Sequence, residues 1–315
     1  MHTVILTEPM HEAGMGLLRG RASVCLVIAL PGSPEFEAAL PEAVGIGVRT
    51  ARLPADVLAR ALRLRVVAKH GVGFDNVDTE HLRARGIPMA IAAHANARSV
   101  AEHTLMLMLA AAKHLRSYDA FVREGPWSQR LSGRAVDLGG RVALVVGHGR
   151  VGRRVAALCM AFGMRVLVHD ILPQPPSDAY EVAPVLDEAL GRADVVTLHI
   201  PLSPATAGLF DAARIARMRL GAVLVNCARG GIVAEDALAS ALQQGRLAAA
   251  GLDVFAEEPP DPASPLLHLP NVVATPHSAA TTAEGAERMA VSVAENILDA
   301  LDGSLPPDVV VNGVA

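Results

Sequence analysis

The sequence predicts an α/β protein built from two doubly wound parallel sheets. Short β-branched apolar runs alternate with stretches of helical spacing through both halves of the chain. One such run leads through Gly147-His148-Gly149-Arg150-Val151-Gly152 into a helical stretch, and Arg229, Glu258 and His277 each follow shortly after another. Alternation of this kind makes a parallel sheet covered by helices, with polar groups gathered at the carboxyl ends of the strands. A length of 315 residues suits about two domains of ordinary size.

The first strands are expected at Val4-Ile5-Leu6, Val24-Cys25-Leu26-Val27-Ile28, Ile46-Gly47-Val48 and Leu64-Arg65-Val66-Val67-Ala68. Between the last two, Leu53-Pro54 starts a helix over 55–61, since proline is pre-organised for a first turn. From about 99 to 123 the pattern becomes apolar nearly all round, introduced by Ser99-Val100-Ala101-Glu102, which fits a capping box. Such a helix must be buried, so we read it as one long element crossing between domains and shared with an oligomer interface. Gly125-Pro126-Trp127 ends it, and Trp127 is expected to pack locally under a loop, with an interface or substrate-wall role as the alternative. A second series has strands at 142–146, 165–169, 193–198, 222–226, 249–254 and 272–275, with a loop over 170–183. A final helix spans 284–301, and the tail Val309-Val310-Val311 must return to the first domain if both long helices are crossings. The expected domains are therefore 1–97 with 288–315, and 98–287.

Composition excludes several classes. No apolar run approaches the roughly 18 residues of a membrane span, and the N-terminus lacks the pattern of a secretory signal, so a cytoplasmic protein is expected. A net charge of −4 without a dense basic cluster argues against nucleic acid. Cys25, Cys159 and Cys227 lie far apart, which suits a reducing compartment and gives no metal site; Cys25 and Cys159 read as core.

The glycine fingerprint carries the cofactor reading. Gly147 permits a tight turn, Gly149 lets backbone approach a pyrophosphate, and Gly152 lets the helix opened by Arg150 and Val151 pack closely on its strand. Asp170 follows the next strand, where a carboxylate can bond the ribose hydroxyls and would repel a 2′-phosphate. NAD(H) is therefore expected over NADP. The histidine, arginine and acid stretches suit hydride transfer to a keto acid, since histidine as a residue type can carry protons in both directions near neutral pH.

These motifs, with Gly71-Val72-Gly73-Phe74-Asp75-Asn76-Val77-Asp78, Asn96-Ala97-Arg98-Ser99-Val100-Ala101-Glu102-His103 and His199-Ile200-Pro201-Leu202 through Thr206-Ala207-Gly208-Leu209, closely resemble the D-isomer-specific 2-hydroxyacid dehydrogenases. The resemblance runs over nearly the whole length. It implies a Rossmann cofactor domain, a flavodoxin-like substrate domain and a homodimer. It makes His277 the general acid and base, Glu258 the partner of its far nitrogen, and Arg229 the grip on the substrate carboxylate, which a planar guanidinium can hold in two places. It further implies substrate contacts from the backbone of Val72 and Gly73 and from Asn96. Cofactor contacts are implied for His199, Pro201, Thr206, Cys227, Ala228, Asp253 and Ala279, with Asp253 on the nicotinamide amide.

The substrate expected is a small 2-keto or 2-hydroxy acid of glyoxylate/hydroxypyruvate or phosphoglycerate type. An NAD-sensing binding protein and a formate- or phosphite-type dehydrogenase are the alternatives. Ile91-Ala92-Ala93-His94-Ala95 replaces the proline–glycine turn common in the family, and His94 there could meet a polar substituent. With no extension after Ala315, serine feedback is not expected.

Overall fold

The computed structural model describes residues 1–125, 127–131 and 135–314. Pro126, part of the expected helix-ending turn, and Ala315 lie outside them. The chain runs β1 (His2–Leu6), α1 (Glu12–Gly20), β2 (Val24–Ile28), α2 (Pro34–Ala39), β3 (Ala43–Val48), α3 (Ala55–Arg60), β4 (Val66–Lys69), α4 (Thr79–Ala84) and β5 (Met89–Ile91). It continues through α5 (Ala97–Ala112), α6 (Leu115–Glu124), β6 (Val142–Val146), α7 (Arg150–Ala161), β7 (Arg165–His169) and β8 (Glu181–Val182). Then come α8 (Leu186–Leu190), β9 (Val195–Leu198), α9 (Ala212–Arg217), β10 (Ala222–Asn226), α10 (Glu235–Gln243), β11 (Leu247–Leu252), α11 (Pro265–His268), β12 (Val272–Ala274) and α12 (Ala283–Asp302).

Two compact units result: Met1–Asn96 with the segment from Ala280 onward, and Ala97–Ala279. In the first, parallel strands lie in the order β2-β1-β3-β4-β5, the flavodoxin-like arrangement. Every residue of β3 is buried, as expected of a central strand covered on both faces. One face packs Val4, Leu6 and Val66 against Ala290, Val293 and Ile297 of α12. The other packs Ile5, Ile46 and Val67 against Phe36, Leu58 and Leu82.

In the second unit the parallel order is β12-β11-β10-β9-β6-β7-β8. Counted from β6, this is the Rossmann order 3-2-1-4-5-6 with one strand added. The order reverses between β6 and β9, and that switch point is where ligands bind in open sheets. Among the described residues, no helix is long and apolar enough to cross a membrane.

Several expectations are corrected. The stretch 99–123 is not one helix, because His114 adopts a left-handed φ of 50° and separates α5 from α6. Helix α5 begins at Ala97, so Ser99 is a buried interior residue and Glu102 pairs with Arg98 at 2.9 Å instead of closing a cap. No residue of α6 is fully buried. The expected boundary at 288 cuts through α12, whose packing on the first sheet begins the returning segment at Ala280. Ala97 falls with the second unit.

The first sheet has an additional strand, β5, to which the tail returns through a Val310–Ala90 bridge and the Val311 N–H on the Met89 carbonyl at 3.0 Å. The expected loop 170–183 holds the edge strand β8. Cys25 is exposed because β2 is an edge strand, whereas Cys159 is buried. Trp127 is 58% exposed instead of covered, with the Arg130 guanidinium 5.3 Å from its ring centroid.

Candidate active site

The fingerprint loop is built by close approach. Gly147 has φ +91°, and a Cβ there would lie 2.5 Å from the His199 carbonyl oxygen; a Cβ at Gly152 would lie 1.9 Å from the Gly147 oxygen. Turn and helix start are thus pressed together across the switch point. Gly149 differs: a Cβ there meets nothing within 4 Å, so its surroundings are open where the fingerprint calls for a ligand to approach backbone. Arg150, exposed, and half-buried Val151 open α7, whose first N–H groups face that space.

Asp170 accepts from the His148 N–H at 2.6 Å and the Leu172 N–H at 2.8 Å, which fixes a carboxylate beside the glycine turn. These residues fit a dinucleotide: a donor-lined turn for the pyrophosphate and a fixed acid for the ribose. His199, following β9, keeps its Nε2 3.0 Å from Thr197 Oγ1, and burial pushes its imidazole down to about 3. Thr206 folds its own turn by donating to the Pro201 carbonyl at 2.6 Å.

The carboxyl ends of β10, β11 and β12 carry the expected catalytic residues. Buried Asn226 accepts the Ala228 N–H at 3.0 Å and donates to the Arg229 carbonyl at 2.8 Å, wrapping the turn that presents Arg229. Cys227 lies inside this turn, and burial pushes its thiol up to about 12, so it is no nucleophile near neutrality. A Cβ on Gly230 would lie 1.8 Å from the Phe255 carbonyl carbon. The arginine turn therefore rests directly on the backbone leading to Glu258.

Glu258 Oε1 accepts the Phe255 N–H at 3.0 Å, and Oε2 lies 2.7 Å from His277 Nδ1. A carboxylate is acceptor-only, so Nδ1 carries the hydrogen and Nε2 is left to exchange a proton elsewhere. The neighbouring Glu257 is not the residue on the histidine.

His277 has φ +49°, a region few residues other than glycine adopt, and its N–H donates to the Asp253 carbonyl at 2.7 Å. The Asp253 side chain is fully buried and accepts from Thr275 Oγ1 at 2.6 Å, Ser278 N at 2.8 Å and Ala279 N at 2.9 Å. Burial alone would push this carboxyl up; hydrogen bonds from His103, Thr275, Ser278 and Ala279 outweigh it and hold it below the usual range. Asp253 and Ala279, expected as cofactor contacts, are thus bound to each other and organise the histidine segment. His103 and Thr275 were not singled out from sequence as site residues; the helical position of His103 in Glu102-His103 was the available signal.

In the first unit, Gly71 has φ +138° and turns the loop that carries Val72 and Gly73. Lys69 Nζ donates to the Arg49 carbonyl and, at 2.8 Å, to Asn76 Oδ1. His70 is 9% exposed, and burial, with the Arg49 and Lys69 charges, pushes it down to about 4. Asn96 Oδ1 is buried with no hydrogen-bond partner among the described residues, a costly state for an amide oxygen. His94 meets Asp308 at 3.1 Å. Glu8, not flagged from sequence, accepts from Thr50 N, Thr50 Oγ1 and Ala51 N at 2.9, 2.6 and 2.8 Å. Its burial opposes ionisation, but those bonds, with that of Thr7, hold its carboxyl down at about 2. Among the described residues no group of histidine, cysteine and acid could hold a metal.

A Rossmann sheet whose strand ends carry an arginine turn and a carboxylate-held histidine defines a dinucleotide-binding class of protein. Residues 105–279 match the family model described as the D-isomer specific 2-hydroxyacid dehydrogenase, NAD binding domain. The chain is 43% identical over 310 residues to D-3-phosphoglycerate dehydrogenase of Mycobacterium leprae, covering 98% of this chain and 58% of that protein. It is 34% identical to hydroxypyruvate reductase of Thermotoga maritima, covering 95% of this chain and 98% of that protein. The structure of D-lactate dehydrogenase from Aquifex aeolicus, complexed with NAD and lactic acid, superposes with a TM-score of 0.88 at 29% identity, covering all of both chains. The chain belongs to the D-isomer specific 2-hydroxyacid dehydrogenase family. It spans little more than half the length of the phosphoglycerate dehydrogenase it matches, 58%.

Proposed function

We propose that this protein is an NAD-dependent D-2-hydroxyacid dehydrogenase that interconverts a small 2-keto acid and its D-hydroxy acid. The observation that carries the reading is the 2.7 Å contact of His277 Nδ1 with Glu258, which leaves Nε2 as the exchangeable position. Arg229 pairs its guanidinium with the substrate carboxylate and polarises the adjacent carbonyl. His277 passes its Nε2 proton to the carbonyl oxygen during reduction and takes it back during oxidation, while Glu258 fixes the tautomer and steadies the imidazolium. Gly147, Gly149, Gly152 and Asp170 would hold a nicotinamide cofactor, which when bound would supply the hydride in one direction and accept it in the other. We propose the backbone N–H groups of Val72 and Gly73, and Asn96, as further substrate contacts, as the family resemblance implies.

The substrates we favour are of glyoxylate/hydroxypyruvate or phosphoglycerate type, in keeping with the names of the relatives. We further propose a cytoplasmic homodimer; Leu115 and Val122 on α6, 56% and 64% exposed, are apolar surface that a second subunit would cover. Loss of NADH absorbance with a panel of glyoxylate, hydroxypyruvate, pyruvate and phosphohydroxypyruvate tests the reading. Turnover of at least one is expected, and silence across the panel with a folded, NADH-binding protein would refute it.

A further inference from the structure

We infer that His103, on α5, is a positioning residue: through Asp253 and Thr275 it holds the 275–279 segment in the geometry that presents the His277 imidazole. The inference rests on the reading of His277 as the proton carrier. His277 sits at φ +49°, so its surroundings must impose that backbone conformation. They do so with one carboxylate. Asp253 takes the Thr275 hydroxyl on one side of His277 and the Ser278 and Ala279 N–H groups on the other, at 2.6, 2.8 and 2.9 Å.

A carboxylate wholly removed from water is costly unless compensated. His103 Nε2 lies 3.3 Å from Asp253 Oδ1 and 2.9 Å from Thr275 Oγ1, with only 16% of its side chain exposed. The Thr275 hydroxyl spends its one hydrogen on Asp253, and a carboxylate only accepts. His103 Nε2 must therefore be the donor to Thr275 Oγ1, with its N–H in ion-pair reach of the carboxylate. The imidazole lies within ion-pair distance of the same carboxylate oxygen, Oδ1, that takes the Thr275 hydroxyl and the Ser278 N–H, while Ala279 N–H holds Oδ2.

The placement follows from helix packing. A Cβ on Gly251 would lie 2.9 Å from Leu107 Cβ, so α5 rests on β11 with no side chain between them. His103 is one helical turn before Leu107, which brings it over the carboxyl end of β11, where Asp253 emerges. A change at His103 is transmitted through Asp253 to His277, although His103 itself touches no reacting atom.

The test compares His103→Leu, which removes the donor, with His103→Gln, which keeps an N–H at similar reach. Steady-state kcat and the KM values for NADH and keto acid are read beside the downfield His277 Nδ1–H proton resonance of the cofactor-free protein. Leucine is expected to lower kcat by on the order of 100-fold, the cost of a roughly 1 Å misplacement, with the NADH KM little changed and the resonance displaced. Glutamine is expected to restore most of the rate and the resonance position. A leucine variant with wild-type kcat and resonance overturns the inference, as does glutamine failing as leucine does. Failure of the underlying reading is distinguishable: His277→Ala would then match wild type, whereas failure of this inference alone leaves His277→Ala inactive and His103→Leu unchanged.

Discussion

Alanine at Gly230 should disable the protein far more than it unfolds it. The Cβ it adds would lie 1.8 Å from the Phe255 carbonyl carbon, 2.0 Å from its oxygen and 2.3 Å from the Ala256 nitrogen, all backbone atoms with no rotamer to change. Carbon–carbon contact begins near 3.5 Å, so the Arg229 turn and the loop carrying Glu258 must part by about 1.7 Å. Overpacking of this kind costs about 1–3 kcal/mol in stability, and a misplacement beyond 1 Å costs on the order of 100-fold in rate. Gly231→Ala is the internal control. Its Cβ would meet only the Leu202 methyls at 3.5 Å, ordinary contact with a flexible side chain. Steady-state kcat/KM for keto acid at saturating NADH, paired with urea unfolding, should separate the two variants by about 100-fold in rate. If the two alanines behave alike, Gly230 does not set the spacing of arginine and acid and this reasoning is wrong.

Arg229→Ala should lower kcat/KM for the keto acid by roughly 10–100-fold, the worth of a charge-assisted pair, with NADH binding by fluorescence nearly unchanged; equal loss of both would count against the assignment. His277→Ala should slow turnover by about 10²–10⁴-fold, measured at saturating substrates. His70, depressed to about 4 in the folded state from 6.5, binds its proton more readily when unfolded. Its contribution to stability is complete above the unfolded value and is lost as pH falls from 6.5 towards 4. Between pH 7 and pH 5 the loss is about 2 kcal/mol. Urea unfolding of wild type and His70→Gln should differ in pH slope by that amount, and identical slopes would refute it.

What was legible in the sequence was local. The apolar run 142–146, the glycines after it and Asp170 lie within a short span, and each has a steric or electrostatic reason visible in residue type. The polar residues after β10, β11 and β12 could be placed because strand ends in a parallel sheet are functional by topology. Other features depended on distant residues. Strand β5 is only Met89–Ile91 and follows a proline, too short to show period. The break at His114 has no glycine or proline to announce it. Glu8 acts on Thr50 and Ala51, and His103 on Thr275, partners 42, 43 and 172 positions away. Asp253 was recognised as a site residue, but a buried carboxylate clamping the histidine segment becomes visible only once β11, β12 and α5 are packed together.

The central claim, hydride transfer to the carbonyl carbon with proton delivery from His277, is tested most directly by following the label. NADH carrying deuterium at the transferred position of its nicotinamide should give a D-hydroxy acid with one deuterium on the carbinol carbon, read by mass spectrometry and chiral chromatography. The same reaction in His277→Ala should produce almost none of it. Unlabelled product from wild type, or labelled product formed equally fast without the imidazole, would contradict the account.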